Sequence, residues 1–212
     1  MLEEEYGVSP ENMTWYAARE EKMPTDLPAD VDKHVINPNR DLESMLESGE
    51  IDALLSTLIP NSLGNGVERL FSDFKRVEKE YYNETGVFPI MHTIVVHEDI
   101  YERHPWVVNS LYDAMERAKE LAIRRLYNTD ALHATIPWLV DHVEEARAAL
   151  GEDFWPYGFE PNYHTIDTLT RYSYEQGLSD RRVEPEELFV DELLDTGSET
   201  QTRVKPDDVI NP

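Results

Sequence analysis

The chain has 212 residues, enough for one or two domains with packed cores. Forty-four acidic residues stand against nineteen Lys and Arg, six of them lysines, for a formal net charge of −25. Such a balance argues against a nucleic-acid partner, which needs basic patches, and the lack of cysteine removes disulfide and thiolate chemistry.

No run approaches the roughly 18 apolar residues of a membrane span. The opening MLEEEYGV is acidic and has no apolar centre, unlike a secretory leader. The expectation is a soluble, cytoplasmic chain. Met1 falls inside an amphipathic helix with no cap before it, so a natural start upstream is expected.

In chain order, residues 1–6 read as the end of a helix stopped by Gly7. Residues 13–18 read as a short strand, and an acidic, proline-bearing loop follows. Residues 34–36 suggest a second strand. Asn39 or Asp41 can cap a helix to about Ser48, with Gly49 as its stop. The apolar run 51–55 predicts another short strand. This order predicts an α/β lobe. After the NSLGNG loop (61–66), residues 74–83 predict a helix. VFPIMHTIVV (87–96) predicts a hinge strand with Pro89 near its start, where a missing N–H is tolerated. EDIYERHP predicts a short helix ended by Pro105. Residues 106–127 form the clearest helix pattern, with Val107, Leu111, Met115, Ala118 and Ala122 at helical spacing. Further helices are expected over 141–150, 166–176 and 185–194. The domain reading is an α/β lobe over 1–105, a helical part over 106–195 and a flexible polar tail over 196–212.

No P-loop, GxGxxG, GxSxG or HExxH occurs. His92 and His97 are five apart on an expected strand, hence on opposite faces, and would not share a metal. No cofactor is called for, and a divalent ion stays open. His92 reads either as a general acid/base or as a hydrogen-bonded structural histidine. His34, His104, His133 and His142 read as surface or structural, and His164 as a neighbour of the aromatic segment described next. Ser56, Thr57, Asn61 and Ser62 follow the expected strand 51–55, where open α/β sheets bind ligands; their hydroxyls suit an anion or a plain turn. In GEDFWPYGFEPN (151–162), Trp155 and Tyr157 can wall an aromatic ligand, Glu160 can act as acid or base, and Asn162 can donate to an oxygen. The bland reading is a packed plug with Glu160 in solvent.

LESGEIDAL (46–54), RLFSDF (69–74), EYYNETGVFPIMHTIVVHEDIYERHPW (80–106), GEDFWPYGFEPN and RYSYEQGLSDR (171–181) together resemble the 4,5-dihydroxyphthalate decarboxylase family. The resemblance runs from Met1 to about Leu194. It implies a type II periplasmic-binding-protein-like α/β fold, with this chain as the second lobe and helical C-terminal part. Most of the first lobe is expected in a segment preceding the point that matches Met1. It also implies non-oxidative decarboxylation of a hydroxylated aromatic acid, with His92 and Glu160 as catalytic residues. Ser56, Thr57, Trp155, Tyr157 and Asn162 would then bind the substrate. Leu58 stands where the decarboxylases are expected to carry an Arg. Arg19, Arg40 and Arg69 are the alternative partners for a substrate carboxylate. Two other readings stay open: a solute-binding protein of a transporter for a small anionic or aromatic ligand, and an inactive fragment. The partner expected is a small aromatic or anionic substrate, and a homo-oligomer stays open. The dispersed, lysine-poor acidity resembles haloarchaeal proteins, an ordinary acidic protein being the alternative.

Overall fold

The computed structural model describes residues 2–22 and 27–197. It divides into two compact units. The first takes in Met1–Val77 and Tyr172–Arg181, the second Glu78–Arg171 and Arg182–Pro212. Residues 198–212, most of the expected tail, lie outside the described residues.

In the first unit, helix α1 (Leu2–Tyr6) precedes strands β1 (Thr14–Ala17) and β2 (Asp32–Val35). The strands pair in parallel, with Thr14 opposite Asp32 and Ala17 opposite Val35. Helix α2 (Leu42–Glu47) starts on Asp41, whose carboxylate accepts from the Glu43 and Ser44 amides. The bond from the Ser44 hydroxyl, together with those amides, holds this carboxyl below its ordinary range. The helix ends in a Schellman turn: Gly49 N–H donates to Leu46 O, Glu50 N–H to Met45 O, and Gly49 takes φ +74°. Ile36, Met45 and Val67 form the small buried core of this unit.

The strand expected over 51–55 is absent. The chain leaves the Schellman turn as bend and coil, and Leu55, Leu58 and Ile59 face outward. A strand exists only through a neighbour that takes its backbone groups, and among the described residues none is offered there.

The second unit holds most of α3 (Phe74–Thr85), then α4 (Glu98–Arg103), α5 (Trp106–Leu126), α6 (Leu139–Leu150) and the larger part of α7 (Tyr163–Glu175). Val108, Val143, Phe159 and Ile166 are its buried apolar side chains, and Pro185 is wholly enclosed. Polar contacts stitch the helices: Lys79 of α3 pairs with Glu145 of α6. Tyr127, at the end of α5, donates to Glu144 of α6 at 2.5 Å.

The helix expected over 185–194 is replaced by two 3-10 turns, Pro185–Leu188 and Asp191–Leu193. Between them Phe189 is extended (φ −126°, ψ 159°) and places its ring edge-on to Phe159, 5.2 Å between centroids. Anchoring that ring outweighs the intrinsic preference for one continuous helix.

The apolar run expected as the hinge strand forms no regular element and is unpaired. Among the described residues no backbone hydrogen bond engages residues 88–96, and no regular element is formed between Thr85 and Glu98. No helix is long and apolar enough to cross a membrane among the described residues.

Candidate active site

The segment GEDFWPYGFEPN links α6 to α7 within the second unit, and nearly every residue in it is held. Gly151 closes α6 at φ +98° and donates to Arg147 O. Asp153 accepts from the Lys119 ammonium of α5 at 3.0 Å. That ammonium is buried, lies 3.1 Å from both carboxylate oxygens of Glu116, and sits 4.9 Å from the Tyr157 ring centroid. One cation thus ties two carboxylates and an aromatic face, joining the middle of α5 to the loop. Asp153 Oδ1 is buried with no hydrogen-bond partner among the described residues.

Gly158 adopts φ +96°, and a Cβ there would meet Thr196 O at 2.7 Å, so only glycine suits the position. Thr196 in turn accepts from the Phe159 and Glu160 amides, through its hydroxyl and its carbonyl respectively. Phe159 is buried, edge-on to Tyr163 and Phe189. The negative charge of Glu186 holds the Tyr163 phenol above the ordinary tyrosine range.

Trp155 is half exposed (44%) and edge-on to Phe88, 5.7 Å between centroids, with Tyr82 behind Phe88 at 6.4 Å. These rings make an aromatic wall with an open face. Tyr157 is partly buried, its ring committed to Lys119. Asn162 donates both amide hydrogens to the loop itself, to Pro156 O at 3.0 Å and Gly158 O at 2.9 Å. Its donor capacity is therefore spent on the fold of the segment, and only Oδ1 is left to face a ligand. Glu160 opens a single 3-10 turn and its carboxylate is exposed.

His92 is exposed, not enclosed in a strand, and makes no hydrogen bond or ion pair with Glu160 among the described residues. The run that carries it also carries Phe88, which does reach Trp155. His164 Nε2 donates to Thr85 O, 2.8 Å away, finishing α3 beside Gly86.

Ser56 and Thr57 lie in the first unit and are exposed. The Ser56 hydroxyl accepts from Leu58 N–H in a local turn. Ser62 is buried and donates, by amide and hydroxyl, to Glu43. Arg40 pairs with Glu50 and Arg69 covers the Phe74 ring. Among the described residues no group of three His, Cys, Asp or Glu side chains is arranged to hold a metal.

Sequence reasoning missed the Lys119 knot. Its signal was present: Glu116 and Lys119 are three apart on the helix, and lysine is scarce in this chain. Nothing local says that such a pair is buried, because burial is decided by the loop that packs over it.

No protein-family model matches the chain. Known proteins similar to it include a decarboxylase. That relative is the 4,5-dihydroxyphthalate decarboxylase of Comamonas testosteroni, 36% identical over 197 residues, a match covering 89% of this chain. The chain spans 60% of the relative's length.

Proposed function

We propose that this chain is part of a carboxy-lyase that removes carbon dioxide from a hydroxylated aromatic acid without oxidation. The observation that carries the reading is the 36% identity to the decarboxylase across nine tenths of the chain. For the whole protein we propose the two-lobed, type II periplasmic-binding-protein-like fold. Residues 1–105 would belong to its second lobe and 106–195 to the helical part. Sequence resemblance is the support for that fold.

The chemistry must avoid an aryl carbanion. A base takes the proton from a ring hydroxyl para to the leaving carboxylate, and its oxygen pushes electrons into the ring. An acid protonates the ring carbon that bears the carboxylate. The C–C bond then breaks, its electron pair restores aromaticity, and carbon dioxide departs. In this scheme His92 supplies the ring proton and Glu160 receives the hydroxyl proton. Trp155 and Phe88 offer the aromatic face, and Tyr157 borders it. The support for these roles is the residue chemistry and, for Trp155, the half-open aromatic wall.

His92→Ala, made in the protein joined to the remainder of the relative's length, is expected to lower carbon dioxide release from 4,5-dihydroxyphthalate by about 10²–10⁴-fold. The circular-dichroism spectrum should stay unchanged. Unaltered release would remove His92 from the mechanism.

A further inference from the structure

Residues 88–96 carry six large apolar side chains among nine positions, in FPIMHTIVV. Met91 is 68% exposed, Ile94 63% and Val95 87%. Their backbone N–H and C=O groups find no backbone partner among the described residues. Isolated exposed Leu or Val residues are ordinary; an apolar run with an unused hydrogen-bonding edge is not.

The pattern also says what kind of neighbour is missing. A strand with one face in water alternates apolar and polar residues. Here adjacent positions Ile90 and Met91, and again Ile94, Val95 and Val96, are apolar on both faces, as in a central strand covered on each side. A second copy of this chain, docked by a two-fold axis, would pair one edge and leave the other edge open. A sheet-forming lobe supplies neighbours on both edges and cover for both faces.

We infer that residues 88–96 are a strand of a shared sheet, completed by a polypeptide segment of the kind that fills the 40% of the relative outside the match. This rests on the kinship used above, not on its chemistry. The interaction is β-pairing: the main chain gives affinity, and the alternate apolar side chains enter the two faces.

The test is amide hydrogen exchange. The 212-residue chain is measured alone, mixed with the unmatched part of the Comamonas testosteroni relative as a separate polypeptide, and fused to it. Alone, amides of residues 88–96 are expected to exchange at near the unstructured rate. In the mixture or the fusion they should slow by on the order of a hundredfold or more. Val95→Asp, at a position open in the chain alone, should cancel that slowing and leave the α5 amides protected. Three results overturn the proposal: slow exchange in the dilute chain alone, slowing that grows with its concentration in the absence of the other polypeptide, and no slowing in either combination. Carbon dioxide release is not read, so a failed decarboxylase assignment and a failed pairing are told apart.

Discussion

At the scale of single residues, Asn162 shows how a side chain chosen for a ligand can be occupied by its own loop. Two carbonyl oxygens, Pro156 O and Gly158 O, converge on its Nδ2. Only the donor end of the amide satisfies both, so the orientation follows from the geometry. Asn162→Ala removes both bonds and leaves two carbonyls short of partners, at a cost of roughly 1–3 kcal/mol. Asn162→Asp keeps the shape but turns an oxygen toward each carbonyl, and should be less stable than the alanine variant. Urea unfolding of the three proteins checks the order, and a stable aspartate variant would contradict it. The composition of GEDFWPYGFEPN made its packed, non-helical character legible. The commitments of Tyr157 to Lys119 and of Asn162 to its own backbone were not, because each is fixed by a partner whose direction no spacing gives.

At the scale of elements, the α-helices that formed were legible because their signals are local, whereas the helix expected over 185–194 gave way to two 3-10 turns. Gly49, Gly151 and Gly177 end helices at φ +74°, +98° and +69°, and Asp41 begins one, each at its expected place. The runs 51–55 and 88–96 have strand composition yet form no strand here, since pairing depends on residues far away in sequence. Between α5 and α6 the decisive tie is Tyr127. Burial, then the hydrogen bond to Glu144, pushes its phenol up to about 12, while Arg147 covers the ring at 5.0 Å. The unfolded value is near 10. A raised folded value means that the native state keeps a proton that the unfolded chain has begun to lose. The contribution is complete below about pH 10 and disappears as pH climbs to about 12. Tyr127→Phe is therefore expected to be less stable near neutrality and to lose less stability over that alkaline interval than the parent. Urea midpoints at about pH 8 and about pH 12 measure both. Parallel alkaline limbs would show that Tyr127 does not act as the tie.

For the whole molecule, charge sets the conditions under which these contacts hold. A net charge of −25 on 212 residues exceeds what its ion pairs can absorb, and many carboxylates, Glu160 among them, are exposed. Folding brings these charges closer together than they are in the extended chain, so repulsion opposes the compact state. At 0.1 M salt the screening length is about 10 Å, comparable with the spacing of neighbouring surface charges; at 1 M it is about 3 Å, and most of the repulsion is gone. We propose that this surface is suited to concentrated salt. The expected result is a melting temperature higher by about 5 °C or more in 1 M than in 0.1 M potassium chloride, since a 150–250-residue protein gains roughly 2–4 °C for each kcal/mol. The course of the rise identifies its cause. Screening is nearly complete by about 1 M, so a gain from relieved repulsion comes early and then flattens. A gain that begins only above that concentration would instead reflect strengthened apolar burial, as with excluded salts. A flat or falling curve below 1 M would mean that carboxylate repulsion does not limit this fold.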